Sequence, residues 1–161
     1  MKTAIIYISK HGTTEKVARM IAEKLSDSHV SLVDLNDNKM PDLTAFDAYI
    51  LGTPIYAGNP QKAMQHFCNK NADVLTQKPL ALFVCGMEEN GDKQQQELAN
   101  AFPENVCQKA VSKQFLGGEF LFEKMNFFEK MIIKKIAKTD KNVSAIKEEN
   151  IDKLVSEFQQ K

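Results

Sequence analysis

The sequence predicts a three-layer α/β domain, with a five-stranded parallel sheet in the order 2-1-3-4-5 and an extra helical segment after strand five. Three observations predict it. Short, mostly apolar runs alternate with stretches whose apolar residues recur at helical spacing, the pattern of successive βαβ units. The strand-like runs are close to continuously apolar, which calls for a sheet covered by helices on both faces. Right-handed crossovers then leave few topologies, and the order 2-1-3-4-5 accommodates five strands.

The elements follow in order. Residues 4–8 form a short β-rich run, and after a turn Val17, Ala18, Ile21, Ala22 and Leu25 mark one face of a helix. Residues 29–33 read as the second strand, ending at Asp34, and residues 48–53 as the third, with Pro54 marking its end. Residues 60–70 are helical, Ala63, Met64, Phe67 and Cys68 facing a core. Residues 80–85 give a fourth strand, 94–102 a helix, and 106–116 contain a fifth strand. At the end Ile151, Leu154, Val155 and Phe158 recur at i, i+3, i+4, i+7, a helix that covers the core.

Before that helix lies one segment more than the sheet requires, predicted as a helix over residues 123–138. Met125, Phe128, Ile132 and Ile136 share the face expected to enter the core. Lys124, Lys130, Lys134, Lys135 and Lys138 lie opposite, with Phe127 and Met131 among them. Two readings stand: an interfacial or partner-binding face, or apolar residues packed on a neighbouring loop beside solvated lysines.

Composition bounds the rest. The 161 residues, 43% of them hydrophobic, are enough for one domain, and no linker or repeat divides residues 1–161. Lys plus Arg and Asp plus Glu number 21 each, so no global field steers the chain toward nucleic acid. Cys68, Cys85 and Cys107 are far apart and no Cys/His spacing calls for zinc, so no metal is expected and a reduced, cytoplasmic setting is. The opening run breaks too soon at Ser9, Lys10 and His11 for a signal peptide. No run of about 18 apolar residues offers a spanning helix. Membrane contact, at the inner face, would have to be peripheral, through Phe127, Met131 and the nearby lysines.

Ligands of an open parallel sheet bind beyond the carboxyl ends of its strands, where strand order reverses. Three loops meet that condition. The first, Ser9, Lys10, His11, Gly12, Thr13 and Thr14, combines a turn, small hydroxyl residues and a helix N-terminus, which suits a phosphate. The competing reading is that Thr13 or Thr14 caps the helix. The second, running from Thr53 through Pro54, Ile55, Tyr56, Ala57 and Gly58 to Pro60, has a shape fixed by Pro and Gly and carries an aromatic ring. The third begins at Cys85, Gly86 and Met87 and continues through Glu88, Glu89, Asn90 and Gly91; Cys85 reads as a packing residue and the glutamates as solvated. No Gly-x-Gly-x-x-Gly and no Walker sequence is present, and Ser9, Lys10 and His11 supply no acidic cluster of the phospho-receiver kind.

Ser9, Gly12 and Thr14 resemble the phosphate loop of the flavodoxin family, Ser/Thr-x-Thr-Gly-x-Thr, with His11 where the middle Thr is usual. His11 then either donates to the phosphate or faces solvent. Gly52, Pro54, Tyr56 and Gly58 resemble the segment with which flavodoxin relatives line one side of an isoalloxazine ring. The resemblance implies a flavodoxin-like fold, non-covalent FMN as cofactor, a phosphate site at residues 9–14, and a ring site between Tyr56 and the loop from Cys85. It also implies that Cys85, Gly86 and Met87 offer backbone groups to the pyrimidine edge of the ring. No pair of residues stands out as catalytic acid and base. The segment Phe127-Phe128-Glu129-Lys130-Met131-Ile132-Ile133-Lys134 is similar to one in flavodoxin-type protoporphyrinogen dehydrogenases, which pass electrons from a porphyrinogen through FMN to a membrane quinone. Two functions follow from the resemblance: an FMN oxidoreductase acting on a quinone or tetrapyrrole, or an electron-shuttle flavodoxin serving a protein partner.

Overall fold

The computed structural model describes residues 1–25, 29–137 and 141–161. Strand β1 (Lys2–Tyr7) leads into α1 (Thr13–Lys24) and β2 (His29–Asp34). A 3-10 turn at Leu43–Ala45 precedes β3 (Ala48–Tyr56), which folds back on the short β4 (Asn59–Pro60). Then come α2 (Lys62–Leu75), β5 (Leu80–Cys85), α3 (Gly91–Ala101), α4 (Glu104–Lys109) and β6 (Ser112–Phe115). After β6 the chain forms β7 (Glu119–Phe120), a 3-10 turn at Phe122–Lys124, α5 (Phe127–Ala137), β8 (Val143–Ser144) and α6 (Glu148–Gln159).

The main sheet runs β2-β1-β3-β5-β6 with every neighbouring pair parallel. This is the expected 2-1-3-4-5 order once β4, which pairs antiparallel with the end of β3, is set aside. The period-2 alternation of a strand divides each run between two cores. Ala4, Ile6 and Ile8 join Tyr49, Leu51, Leu82 and Val84 beneath α2, α3 and α4. Ile5 and Tyr7 join Ile50, Ala81 and Phe83 beneath α1 and α6, where Ile151, Leu154, Val155 and Phe158 are all buried. Gly52 is required by close approach: a Cβ there would lie 1.9 Å from the Phe83 ring.

Several expected boundaries move. Pro54 does not end β3. It pairs with Cys85 at the last position of the parallel register, and Ile55 and Tyr56 continue into the β4 hairpin, so the missing N–H falls where the parallel ladder is finished. The hairpin turn is Ala57-Gly58, with φ of 48° and 77°, the left-handed pair that a two-residue connection requires. Helix α2 starts two residues after Pro60 and runs on to Leu75, and α3 starts at Gly91 because the Asn90 side chain caps it, accepting from the Lys93 N–H at 3.0 Å. Val106 lies on α4, ahead of the fifth parallel strand.

The segment after β6 departs furthest from expectation. A 3-10 turn and an extended Met125 interrupt it, and α5 restarts behind Asn126. The cap is reciprocal: Asn126 Oδ1 accepts from the Glu129 N–H at 2.9 Å, and Glu129 Oε1 accepts from the Asn126 N–H at 3.4 Å. Phe128 and Ile132, expected in the core, are 76% and 40% exposed, alongside Phe127 at 74% and Met131 at 52%. The inward side chains are Glu129 and Ile133. The helix face was selected by what Glu129 reaches rather than by apolar periodicity. Met125 does stay buried, in a satellite cluster with Phe122 and Ile133. The side chain of Ile136 and all of Lys138 lie outside the described residues. Among the described residues no helix is long and apolar enough to cross a membrane.

Candidate functional site

Strand β1 lies between β2 and β3, so the chain leaves its carboxyl end toward one edge and returns on the other side. The loops around this point enclose a cavity of about 750 Å³. Ser9, Lys10, His11, Thr13 and Thr14 line it from the first loop, Pro54, Ile55, Tyr56, Ala57 and Gly58 from the second, and Cys85, Gly86 and Met87 from the third. Of residues 9–14, 54–58 and 85–87, Gly12 alone is not part of that lining, and neither Gly52 and Thr53 nor Pro60, Asn90 and Gly91 at the loop ends reach it.

Gly12 instead caps α1, at φ 92° and with no side chain closing the cap. Neither Thr13 nor Thr14 takes that role; both are the first residues of the helix. The first-turn N–H groups therefore lack a side-chain acceptor and sit at the positive end of the helix dipole. Ser9 Oγ accepts from the Gly12 N–H at 3.1 Å, which closes the turn, and Asn36 Nδ2 donates to the Ser9 carbonyl at 3.0 Å, which ties the turn to the end of β2. Thr14 is buried.

Two carboxylates from the segment after β6 engage this loop. Glu119 accepts from Lys16 Nζ at 2.7 Å, from Ser144 Oγ at 3.1 Å and, weakly, from Thr13 Oγ1 at 3.5 Å. Burial pushes its carboxyl up, but those hydrogen bonds and the Lys16 charge outweigh burial and hold it below the usual carboxylate range. Glu129 Oε2 lies 2.6 Å from His11 Nε2 and 3.3 Å from Lys10 Nζ. Here too burial raises the pKa, and the Asn126 N–H, His11 and Lys10 together overcome it.

Lys10 also sits 4.2 Å from the centroid of the Tyr56 ring, with the His11 ring 6.0 Å away on the same neighbour. The Tyr56 hydroxyl is shielded from solvent without a well-formed hydrogen bond. Burial and the nearby Glu129 carboxylate push its pKa up to about 12, so it is a neutral donor. Across the cavity, Glu97 Oε2 is likewise buried without a partner, and burial, reinforced by Glu88, raises that carboxyl. The cavity thus presents polar groups from three sides: the Tyr56 hydroxyl, the Glu97 carboxyl and the first turn of α1, whose cap has no side-chain acceptor.

In the third loop Gly86 donates its N–H to the Gly117 carbonyl at 2.9 Å, so this backbone group is already engaged. Cys85 is buried, and burial pushes its thiol up to about 12, in keeping with a packing residue. Glu88 is half-buried and its Oε1 accepts from the Asn90 N–H at 2.9 Å, as part of the α3 entrance. Sequence reasoning missed Gly118, Glu119, Phe120 and Val143, which form a fourth wall, and Glu97. The Gly117-Gly118 pair directly after the fifth strand was the one available signal; Glu129 had none, being 118 residues from His11. Among the described residues no three His, Cys, Asp or Glu side chains converge on a metal-sized site.

Comparison with known proteins gives a consistent picture. A model of the flavodoxin domain matches residues 4–146. Protoporphyrinogen IX dehydrogenase [quinone] of Escherichia coli (strain K12) is 24% identical over 144 residues, 86% of this chain and 80% of that protein. Flavodoxin 1 of the same organism is 32% identical over 90 residues, covering 55% of this chain and 51% of that protein. The structure of oxidised Flavodoxin 1 from Bacillus cereus superimposes with a TM-score of 0.57 at 17% identity, over 99% of this chain and 98% of the other, which establishes likeness of fold.

Proposed function

This chain belongs to the flavodoxin domain family, and from that premise we propose that it binds flavin mononucleotide non-covalently in the cavity at the β1/β3 edge. The observation that carries the proposal is the convergence of the three loops on one space of about 750 Å³, within the range of about 300–1,000 Å³ usual for such ligands. Ser9, Thr13, Thr14 and the N–H groups of α1 would take the phosphate, with the Lys10 ammonium and the His11 ring beside them. Tyr56 and its neighbours Pro54, Ile55, Ala57 and Gly58 would form one wall for the ring, and Cys85, Gly86 and Met87 the other. The flavin supplies the electron-transfer chemistry when bound; the protein holds it, excludes water and sets the charge around it.

The favoured form of this activity is a quinone-linked oxidoreductase resembling protoporphyrinogen dehydrogenase. Two things support it. The match to that enzyme extends over most of both chains, whereas the match to Flavodoxin 1 spans about half of each. Helix α5 also offers Phe127, Phe128, Met131 and Ile132 to solvent beside Lys134 and Lys135, a surface suited to an apolar acceptor or the carboxylates of a tetrapyrrole. The second reading, an electron carrier for a protein partner, keeps its footing in the higher identity to Flavodoxin 1 over the shared part.

Titration of the purified protein with FMN, followed by flavin fluorescence, tests the cofactor. Saturable binding tighter than micromolar is expected, and a colourless protein that refuses FMN would overturn the proposal. Anaerobic addition of protoporphyrinogen, then of a quinone, separates the two functions. Bleaching and recovery of the visible flavin band are expected for the oxidoreductase, and no change in either step for the carrier.

A further inference from the structure

Glu129 presents a carboxylate to the loop that the proposed function assigns to a phosphate. Its residue is 8% exposed, and its contacts are with Lys10 and His11 of that loop and with the Asn126 N–H. Tyr56 is near enough for the same carboxylate to influence its hydroxyl. The segment brings a cation as well: a Cβ at Gly12 would lie 3.3 Å from Lys124 Nζ. Among the described residues little else fastens α5. Besides Glu129 its one buried described side chain is Ile133, in a satellite cluster with Phe122 and Met125 that is separate from both main cores. By contrast the base of the segment is secured, because β7 pairs with β8 and Glu119 holds Lys16.

A phosphate seeks the same donors as Glu129, offers three acceptor oxygens to the carboxylate's two, and carries more charge. With both present, the two anions would repel each other across a partly buried loop. We propose that Glu129 is the resident counter-anion of the loop at residues 9–14, and that a bound phosphate displaces it from Lys10 and His11 and frees α5. The proposal rests on the flavin reading for the identity of the phosphate. Binding and release are then one linked equilibrium: whatever holds α5 down weakens the phosphate, and the phosphate loosens α5 to the same degree. The β7–β8 base, held by its pairing and by Glu119 on Lys16, stays in place, so the segment swings about a fixed foot.

The test compares FMN with riboflavin, which has the same ring system and no phosphate, on wild type and Glu129→Gln. Glutamine keeps an acceptor oxygen for the Asn126 N–H, so the helix cap is preserved. The variant is expected to bind FMN about fivefold or more tighter, the lower end of the usual range for coupled sites, with riboflavin affinity unchanged. In the wild-type protein, FMN is expected to accelerate amide exchange across Phe127–Ala137. FMN affinity that is unchanged or weaker in the variant overturns the proposal, as does equal tightening for both flavins, or slower exchange in α5 with FMN. If neither flavin binds either protein, the cofactor reading fails, and inorganic phosphate alone decides: faster α5 exchange in its presence sustains the displacement, and unchanged exchange overturns it.

Discussion

Cys68 and Cys85 illustrate how burial sets reactivity. Both thiols are buried within the two faces of the sheet, and burial pushes each up to about 12. At pH 8 or so neither contributes thiolate, the reactive species. A thiol-specific chromophoric reagent should therefore label at most Cys107, which is half-buried, and full reaction of all three should need denaturant. Glu119 makes a different prediction. Its folded carboxyl lies below the ordinary value of 4.5, so its contribution to stability is present at neutral pH and is lost as pH falls through the folded value. Urea midpoints between about pH 7 and about pH 3 should show Glu119→Gln less stable than wild type at neutrality, with the gap closing in acid. A gap that stays constant with pH would mean that packing, not charge, accounts for the loss.

Among the elements, the parallel strands were legible because each is short, apolar and bounded by helical spacing, so that Ile5 and Ile6 announce two covered faces at once. The loops beyond them were legible for a related reason: Ser9, Gly12, Tyr56 and Gly86 sit at strand ends, and topology alone brings those ends together. Helix α5 was not legible in the same way. Periodicity identifies a stripe but not which side is turned inward, and here a partner 118 residues distant decided it. The outcome is an exposed cluster of Phe127, Phe128, Met131 and Ile132, larger than isolated surface apolar residues and bordered by lysines. If this face docks on anionic lipid, replacing Phe127 and Met131 by Ser should weaken sedimentation with vesicles at least about tenfold, given roughly 1.5–3 kcal/mol for each large apolar side chain removed from water. Melting temperature should scarcely change, because both side chains are already solvated in the folded protein. Equal vesicle binding by variant and wild type would limit α5 to its contact with the loop at residues 9–14.

Across the whole molecule, two cores share one sheet, and the close contact of Gly52 with Phe83 welds β3 to β5 beneath the cavity. What stands apart, among the described residues, is the excursion between Phe120 and Val143. The chain departs at Glu119–Phe120 and returns at Val143–Ser144, and those two pairs lie directly opposite each other, Glu119 with Ser144 and Phe120 with Val143. The excursion therefore leaves and rejoins the fold at two ends that already meet in a hairpin geometry. Replacing it by Asn-Gly, the dipeptide that closes a two-residue antiparallel turn, should leave a shorter chain that still folds cooperatively and keeps Glu119 against Lys16. Circular dichroism and a single urea transition would check this, and a molten product would show that the excursion is needed for folding. Because the junction closes on its own, a change of length within the excursion is taken up there, and the strands that carry the cavity loops keep their register.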